Sequence, residues 1–291
     1  KAAQGDYSEK RFRREPEVLR LLEKKDYPAP RLLTQDLSSE EYDFIYLMMS
    51  KEEGRNIDSF SDGEKFKNMQ KTRKKQLLQD AGELLGRLHD DFRFEEYGDL
   101  ENMHGLEVDA RDKWSEALRD IMEKHSLRGL KDSRFSDLSS EAREYLQERL
   151  GELDTGDKPR LVHQDFRFGN LLVEQNQVST VLDWERAISG HREYDLFKAE
   201  RNFTAKFKTE TIRDEYQESF LEAYRNVLEL QKGWKNRRQT YQIVYLLEAM
   251  WTFDEWSSGM PEEVIDRIAE DMRKEFRKRI RDEETVAFPS M

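Results

Sequence analysis

The stretch LVHQDFRFGNLLVEQNQVSTVLDWE, residues 161–185, decides how the rest of the chain is read. Two short apolar runs flank a polar tip, the pattern of a β-hairpin. His163, Asp165, Asn170 and Asp183 stand at the ends of those runs. With NLLVEQ and VSTVLD as strands and Asn176 and Gln177 at the tip, Gln175 faces Val178 and Asn170 faces Asp183. Directly opposed residues of an antiparallel pair have Cα atoms about 4.5–5.5 Å apart. In that register Asn170 and Asp183 reach one small ion. An amide oxygen and a carboxylate are hard ligands that suit Mg²⁺, whose shell is commonly completed by water and substrate phosphates.

Asp165 lies in the loop HQDFRFGN, and Gly169 permits the sharp turn into the strand. A loop carboxylate near a dication stays ionised and can orient a hydroxyl by accepting its hydrogen bond. His163 is placed to hold the loop backbone. A metal clamp plus a hydroxyl-orienting Asp are the parts phosphoryl transfer needs, because positioning and charge neutralisation supply most of its rate. Asn and Asp at strand ends are also ordinary turn residues. It is the combination, in matching register, that reads as a site.

Around this hairpin the chain is mostly helical. Residues 9–25, EKRFRREPEVLRLLEKK, have helical spacing with Pro16 near the expected start. DYPAPRLL is a turn leading to an extended segment, and YDFIYLMM (42–49) reads as a buried strand ending at SKEEGRNI. Residues 74–92 repeat apolar residues at helical spacing, residues 110–151 read as two helices, and residues 193–281 as a run of helices. The economical organisation is two lobes, 1–52 and 53–291, joined near residues 50–55. One strand and one helix cannot bury a core alone, so further strands are expected before Lys1.

Charged residues make up 38% of the 291 and the net charge is −12, which argues against binding nucleic acid through its phosphates. It is compatible with cationic substrates and equally with plain solubility. The absence of cysteine excludes disulfide and thiolate chemistry and fits a cytoplasmic setting. No apolar run approaches the roughly 20 residues needed to span a membrane.

HQDFRFGNLLV followed by VLDWE resembles the catalytic loop and metal segment of the aminoglycoside phosphotransferase/choline kinase family, which are protein-kinase-like small-molecule kinases. The resemblance extends over most of the chain. It implies an α+β, two-lobed fold with a truncated N-terminal lobe and a larger, mainly helical C-terminal lobe. It implies ATP and Mg²⁺, with Asp165 as the catalytic Asp and Asn170 and Asp183 as metal ligands. RFRREPEVLRLL resembles the small-lobe helix, whose Glu, here Glu15, pairs with a phosphate-binding Lys. Lys1 stands at a spacing that fits that Lys, and equally as merely the first residue given. YLMMSKEEG resembles the hinge, where Ser50 and Glu52 would offer main-chain contacts to adenine and Met49 would lie beside the purine. Strand alternation makes at least one of Met48 and Met49 a packing residue. SGHREYDLFKAE resembles the segment after the metal site, in which Asp195 braces the catalytic loop.

Two features depart from the family pattern. The glycine-rich phosphate loop is absent from this chain, so the chain as given is expected to bind nucleotide poorly. Gln164 replaces a frequent Gly, and Arg167 and Phe168 stand where His and Pro are often seen. In the family the C-terminal helices form the acceptor site. Here LLEAMWTFDEW (246–256) is the candidate, with Glu248, Trp251, Thr252 and Glu255 on neighbouring turns of one helix and Asp254 beside them. Trp251, Asp254 and Glu255 would suit a cationic or amine-bearing acceptor, although such a stripe is also what a packed amphipathic helix presents. Two rival readings stay open: a non-catalytic nucleotide-binding module of the same fold, and a metal phosphohydrolase using His163, Asp165, Asp183 and His191.

Overall fold

The computed structural model describes residues 2–3, 6–38, 42, 44–56, 66, 69–102, 106–108, 110–204 and 210–281. In chain order the strands are β1 (Ala2–Ala3), β2 (Leu32–Asp36), β3 (Ile45–Met49), β4 (Arg55–Asn56), β5 (Gly98–Asn102), β6 (Leu106–Val108), β7 (Arg160–Val162), β8 (Leu171–Glu174), β9 (Gln177–Val181) and β10 (Ile188–Gly190). The helices are α1 (Asp6–Glu23), α2 (Lys71–Asp91), α3 (Trp114–Lys124), α4 (Ser126–Lys131), α5 (Ser139–Arg149), α6 (Arg192–Thr204), α7 (Glu210–Val227), α8 (Trp234–Trp251), α9 (Phe253–Trp256) and α10 (Glu262–Arg281). The fold is α+β, with helices in the majority. Lys1 lies outside the described residues.

The chain packs as two compact units. The first, formed by residues 1–110, 158–204 and 214–229, holds every described strand, in three sheets ordered β1-β3-β2, β6-β5-β10-β7 and β4-β8-β9. In β3, Ile45 and Leu47 turn to a small core with Phe12 of α1, and Met49 packs against it. The segment 42–49 is half-buried rather than buried, since Tyr42 and Phe44 ahead of β3 and Met48 within it are exposed. Alternation of side chains along a strand covered on one face accounts for this. Pro16 falls in the interior of α1 rather than near its start. Burial of Val18, Leu19 and Leu22 on the same helix supplies the packing that overrides the local cost of a mid-helix proline.

The hairpin register differs from the sequence expectation. Glu174 pairs with Gln177 and Val173 with Val178, so Gln175 and Asn176 form the two-residue tip. Both take positive φ, 47° and 74°, a turn whose twist suits a hairpin. A register shift between Leu172 and Val173 then pairs Leu172 with Thr180 and Leu171 with Val181. Continued outward, Asn170 meets Leu182 rather than Asp183, and the Leu182 N–H donates to the Asn170 carbonyl at 2.8 Å.

The second unit, residues 111–157, 205–213 and 230–291, contains helices and no described strand. Its core is aromatic and leucine-rich, with Trp114, Phe135, Tyr241, Phe253 and Phe276 almost fully buried. The region expected as two helices is three, α3, α4 and α5, with 3₁₀ turns between and after them. Asp154 accepts from both the N–H and the hydroxyl of Ser115, at 2.8 and 2.7 Å, capping α3 from a distance.

Within the first unit α2 crosses α7 closely. A Cβ on Gly82 would collide with the Phe220 carbonyl oxygen, and one on Gly86 would stand 2.9 Å from the Val227 Cβ. Gly82→Ala is therefore expected to lower unfolding stability by about 1–3 kcal/mol through overpacking. Gly151→Ala, where a Cβ meets open space, is the matched control and is expected to be near neutral. Urea unfolding of the two variants separates these outcomes.

Candidate functional site

β7 leads into the loop that carries His163, Asp165, Arg167 and Asn170, and one buried carboxylate sets its backbone. Asp195, near the start of α6, accepts the N–H of His163 at 2.7 Å and of Gln164 at 2.8 Å on its two oxygens. His89 of α2 adds its Nε2 at 3.3 Å, while its Nδ1 lies 2.9 Å from the Tyr224 hydroxyl on α7. Burial disfavours the charge on Asp195. Its hydrogen bonds from His89 and the His163 N–H more than offset that, holding the carboxyl below its usual range. For His89, burial outweighs the pull of Asp195 and moves the imidazole down. The neutral ring then donates from Nε2 to Asp195 and accepts from Tyr224 at Nδ1.

His163 closes a second link. Its Nδ1 accepts the Asp165 N–H at 3.2 Å, and its Nε2 donates to the Leu182 carbonyl at 2.9 Å. Leu182 in turn donates its N–H to Asn170, and Asn170 Nδ2 donates to the Asp165 carbonyl and to Asp165 Oδ2, both at 2.9 Å. Asp165, His163, Leu182 and Asn170 thus form a closed hydrogen-bonded circuit. Asp183 follows directly on the residue whose N–H and C=O are both tied into it.

Arg167 was not among the expected site residues. Its Nε lies 3.1 Å from each oxygen of Asp165. The guanidinium covers Gly169 so closely that a Cβ there would collide with Nη1. Gly169 is therefore required by its neighbour as well as by its turn. The same Gly169 carbonyl accepts a hydrogen bond from Asn56 Nδ2, which ties β4 to the loop. Sequence spacing, with Arg167 two residues after Asp165, was the only available signal for this ion pair.

Besides the hairpin tip and Asp26, two non-glycine residues hold left-handed backbone, both beside this loop: Gln164 at φ 66° and Asp183 at φ 68°. Such conformations cost about 1–2 kcal/mol for residues with a Cβ and persist where surrounding bonds over-determine them. The first explains why glycine suits the middle position of a His-x-Asp triplet. The second turns the chain out of β9, and Trp184, fully buried, packs against His163 at 4.5 Å and Tyr27 at 5.7 Å between ring centroids.

The remaining expected residues are placed as follows. Glu15 is buried and accepts the Trp184 N–H at 3.2 Å, which sets it beside the segment after Asp183. Ser50 spends its N–H on the Arg31 carbonyl at 2.8 Å and its hydroxyl on Glu52. The Ser50 N–H is therefore engaged at the open end of the β2–β3 pair. Met49 packs on the Phe12 cluster. Trp251, Asp254 and Glu255 belong to the second unit. They do not share one helix: α8 ends at Trp251 and Thr252 leaves helical backbone before α9. Trp251 stacks on His125 with centroids 5.3 Å apart and covers Gly129. Asp254 lies 3.6 Å from Arg134, which also pairs with Glu262 and Asp266.

Among the described residues, no three His, Cys, Asp or Glu side chains gather as a metal cluster. The donor set that fits a hard cation is smaller. Of its side chain, Asn170 uses only the NH₂ group in hydrogen bonds among the described residues, and its amide oxygen is a hard donor of the kind Mg²⁺ takes. Among the same residues no helix is long and apolar enough to cross a membrane.

The chain matches the model of a phosphotransferase enzyme family over residues 1–238. A protein named as a probable ketoamine kinase of Enterococcus faecium is 32% identical over 111 residues. That match covers 38% of this chain and 35% of the relative, so the chain spans about a third of the length of the curated protein it matches. The solved aminoglycoside phosphotransferase APH(4)-Ia shares the fold at TM-score 0.60 and 14% identity, covering 93% of this chain and 81% of that one. The streptomycin–ATP–APH(2")-IIa ternary complex does so at 0.58 and 16%, covering 96% and 85%.

His89 gives the site a pH signature. Its folded pKa is lowered, so below the ordinary histidine value the unfolded chain takes up the proton first and stability falls with pH. Unfolding free energy is expected to drop between about pH 6.5 and 5, with a slope contribution approaching ~1.4 kcal/mol per pH unit at most. Denaturant titrations across that range check it, and His89→Gln is expected to flatten the slope.

Proposed function

This chain belongs to the phosphotransferase enzyme family, and from that premise we propose that it transfers the γ-phosphate of ATP to a hydroxyl of a small molecule. The observation that carries the reading is the closed circuit of Asp165, His163, Leu182 and Asn170, which holds a loop carboxylate 2.9 Å from the Asn170 amide nitrogen, with Asp183 next in the chain after Leu182. Asn170 and Asp183 would hold Mg²⁺, which supplies neutralisation of the phosphate charge.

Asp165 orients the acceptor. Its Oδ2 accepts from both Asn170 and Arg167, whereas Oδ1 accepts from Arg167 alone. The Oδ1 atom has a lone pair left for the acceptor hydroxyl. As the acceptor oxygen bonds to phosphorus and the bond to ADP breaks, the hydroxyl proton passes to Asp165, giving a phosphate ester and ADP. Arg167 keeps the carboxylate ring-locked against rotation, and Asp195 keeps the loop from shifting. Glu15 is the partner for a phosphate-binding Lys, a role for which Lys1 is the candidate. Main-chain groups of Ser50, other than its engaged N–H, and of Glu52 would meet adenine, with Met49 beside the purine. An amine-bearing sugar, as in ketoamines and aminoglycosides, is the acceptor class most in keeping with the acidic chain, and ATP as donor fits the cytoplasm.

Asp165→Asn in the full-length protein is expected to cut turnover by roughly 10²–10⁴-fold while leaving Mg-ATP binding nearly unchanged. A coupled ADP-release assay over a panel of ketoamines, aminoglycosides and choline-like amines checks it. Near-normal turnover in that variant overturns the role of Asp165.

A further inference from the structure

Arg14 stands one residue before Glu15 on α1, with its side chain only 6% exposed. It is anchored on three acceptors. Its Nε donates to the Leu100 carbonyl at 2.8 Å, its Nη1 to the Ala187 carbonyl at 3.1 Å, and its Nη2 to the Asp99 carboxylate. Asp99 and Leu100 lie on β5. Ala187 stands just before β10, and β10 pairs with β5 through Ile188 and Asp99. The fork therefore grips two neighbouring strands of one sheet.

The position of Ala187 gives the grip its meaning. A 3₁₀ turn, Trp184–Arg186, starts from the left-handed Asp183 and ends at Ala187. Glu15 accepts the N–H at the front of that turn, from Trp184 at 3.2 Å. Arg14 donates to the carbonyl at its back. Two consecutive residues of α1 thus bracket the four residues that follow Asp183. Adjacent helical residues point about 100° apart, so holding both contacts fixes the rotation of α1 about its axis as well as its distance.

We propose that Arg14 is a positioning residue for the phosphate and metal end of the site: it locks α1 against the segment after Asp183, so that Glu15 is pre-set and α1 is not a swinging element. The inference rests on the reading of Glu15 and Asp183 given under the proposed function. Arginine is required because three acceptors in different directions need a planar fork, and an ammonium is a point charge that satisfies fewer of them. Two buried carbonyls that lose their donor would disfavour the seat of the helix on the sheet.

The test uses Arg14→Lys, Arg14→Met and Asp99→Asn, with Arg20→Met as a control on the same helix, where the more exposed Arg20 pairs with Glu17 one turn earlier. Amide exchange at Trp184 and along α1 reads the lock without any ligand. Calorimetry with Mg-ATP reads its consequence. Loss of about 1.4 kcal/mol of anchoring corresponds to a tenfold change. Exchange at Trp184 is expected to rise, and Mg-ATP affinity to fall, by at least that factor in Arg14→Met. Acceptor KM is expected to stay within about twofold. Arg14→Lys and Asp99→Asn should fall between wild type and Arg14→Met, and they serve if Arg14→Met does not fold. Unchanged Trp184 exchange in any folded Arg14 variant overturns the lock. Faster exchange with unchanged Mg-ATP affinity overturns the positioning role and leaves the phosphotransferase reading standing. Absence of Mg-dependent ATP binding in the wild-type protein overturns that reading, and the positioning role with it.

Discussion

A carboxylate sealed from water has to be satisfied by protein donors, and Asp195 has three: the N–H groups of His163 and Gln164 and the ring of His89. Each hydrogen bond to a charged group counts for more than one between neutral groups, and the loss of any leaves a buried charge underpaired. The loop cannot slide without exposing that penalty. The whole stretch from His163 to Asn170 is therefore referenced to α6 and, through His89 and Tyr224, to α2 and α7. The close crossing of α2 and α7 at Gly82 and Gly86 belongs to the same constraint, because it brings His89 and Tyr224 within 2.9 Å.

Strain sits where that constraint is strongest. Gln164 donates its N–H to Asp195 from left-handed backbone, and Asp183 takes the same conformation where the chain leaves β9. Glutamine has no preference for that region, while aspartate tolerates it better than most residues with a Cβ. Both are held there by neighbours with fixed bonds: His163 on one side of Gln164, and Leu182 and the buried Trp184 on either side of Asp183. Left-handed backbone next to Asp165 and at Asp183 is, on the proposed reading, what a site with its geometry set before any ligand arrives would show.

Much of this was legible in the sequence, for reasons particular to each element. The hairpin and α2 follow from local periodicity, and the string from His163 to Asp183 carries its chemistry in residue identity. The hairpin register was not legible. Asn176 and Gln177 look like a turn, but a bulge near Ser179 and a tip at Gln175 and Asn176 satisfy the sheet together, and β4 pairs from across the chain. The four-stranded sheet was also out of reach, since three-residue strands such as Leu106–Val108 carry no usable alternation. Arg14 is the clearest case. Its acceptors lie 86 and 173 residues away, and two of the three are backbone carbonyls, which have no residue identity to read.

The acceptor side follows a different logic. Arg134 is shared by Asp254, Glu262 and Asp266, three carboxylates that are each well exposed. Exposed ion pairs contribute little and are weakened by salt. An incoming amine would compete with a cation already in place for Asp254, so that residue is a poor anchor for specificity. The net charge of −12 still draws cations toward the surface over long range, which raises encounter rates rather than selectivity. On the proposed reading, discrimination between acceptors then falls to groups without a competing arginine. Glu255, which has no arginine partner among the described residues, meets that condition. The sequence weighted all three acidic and aromatic residues of this segment equally, because Arg134 lies more than a hundred residues earlier in the chain, where only the folded helices bring it to Asp254.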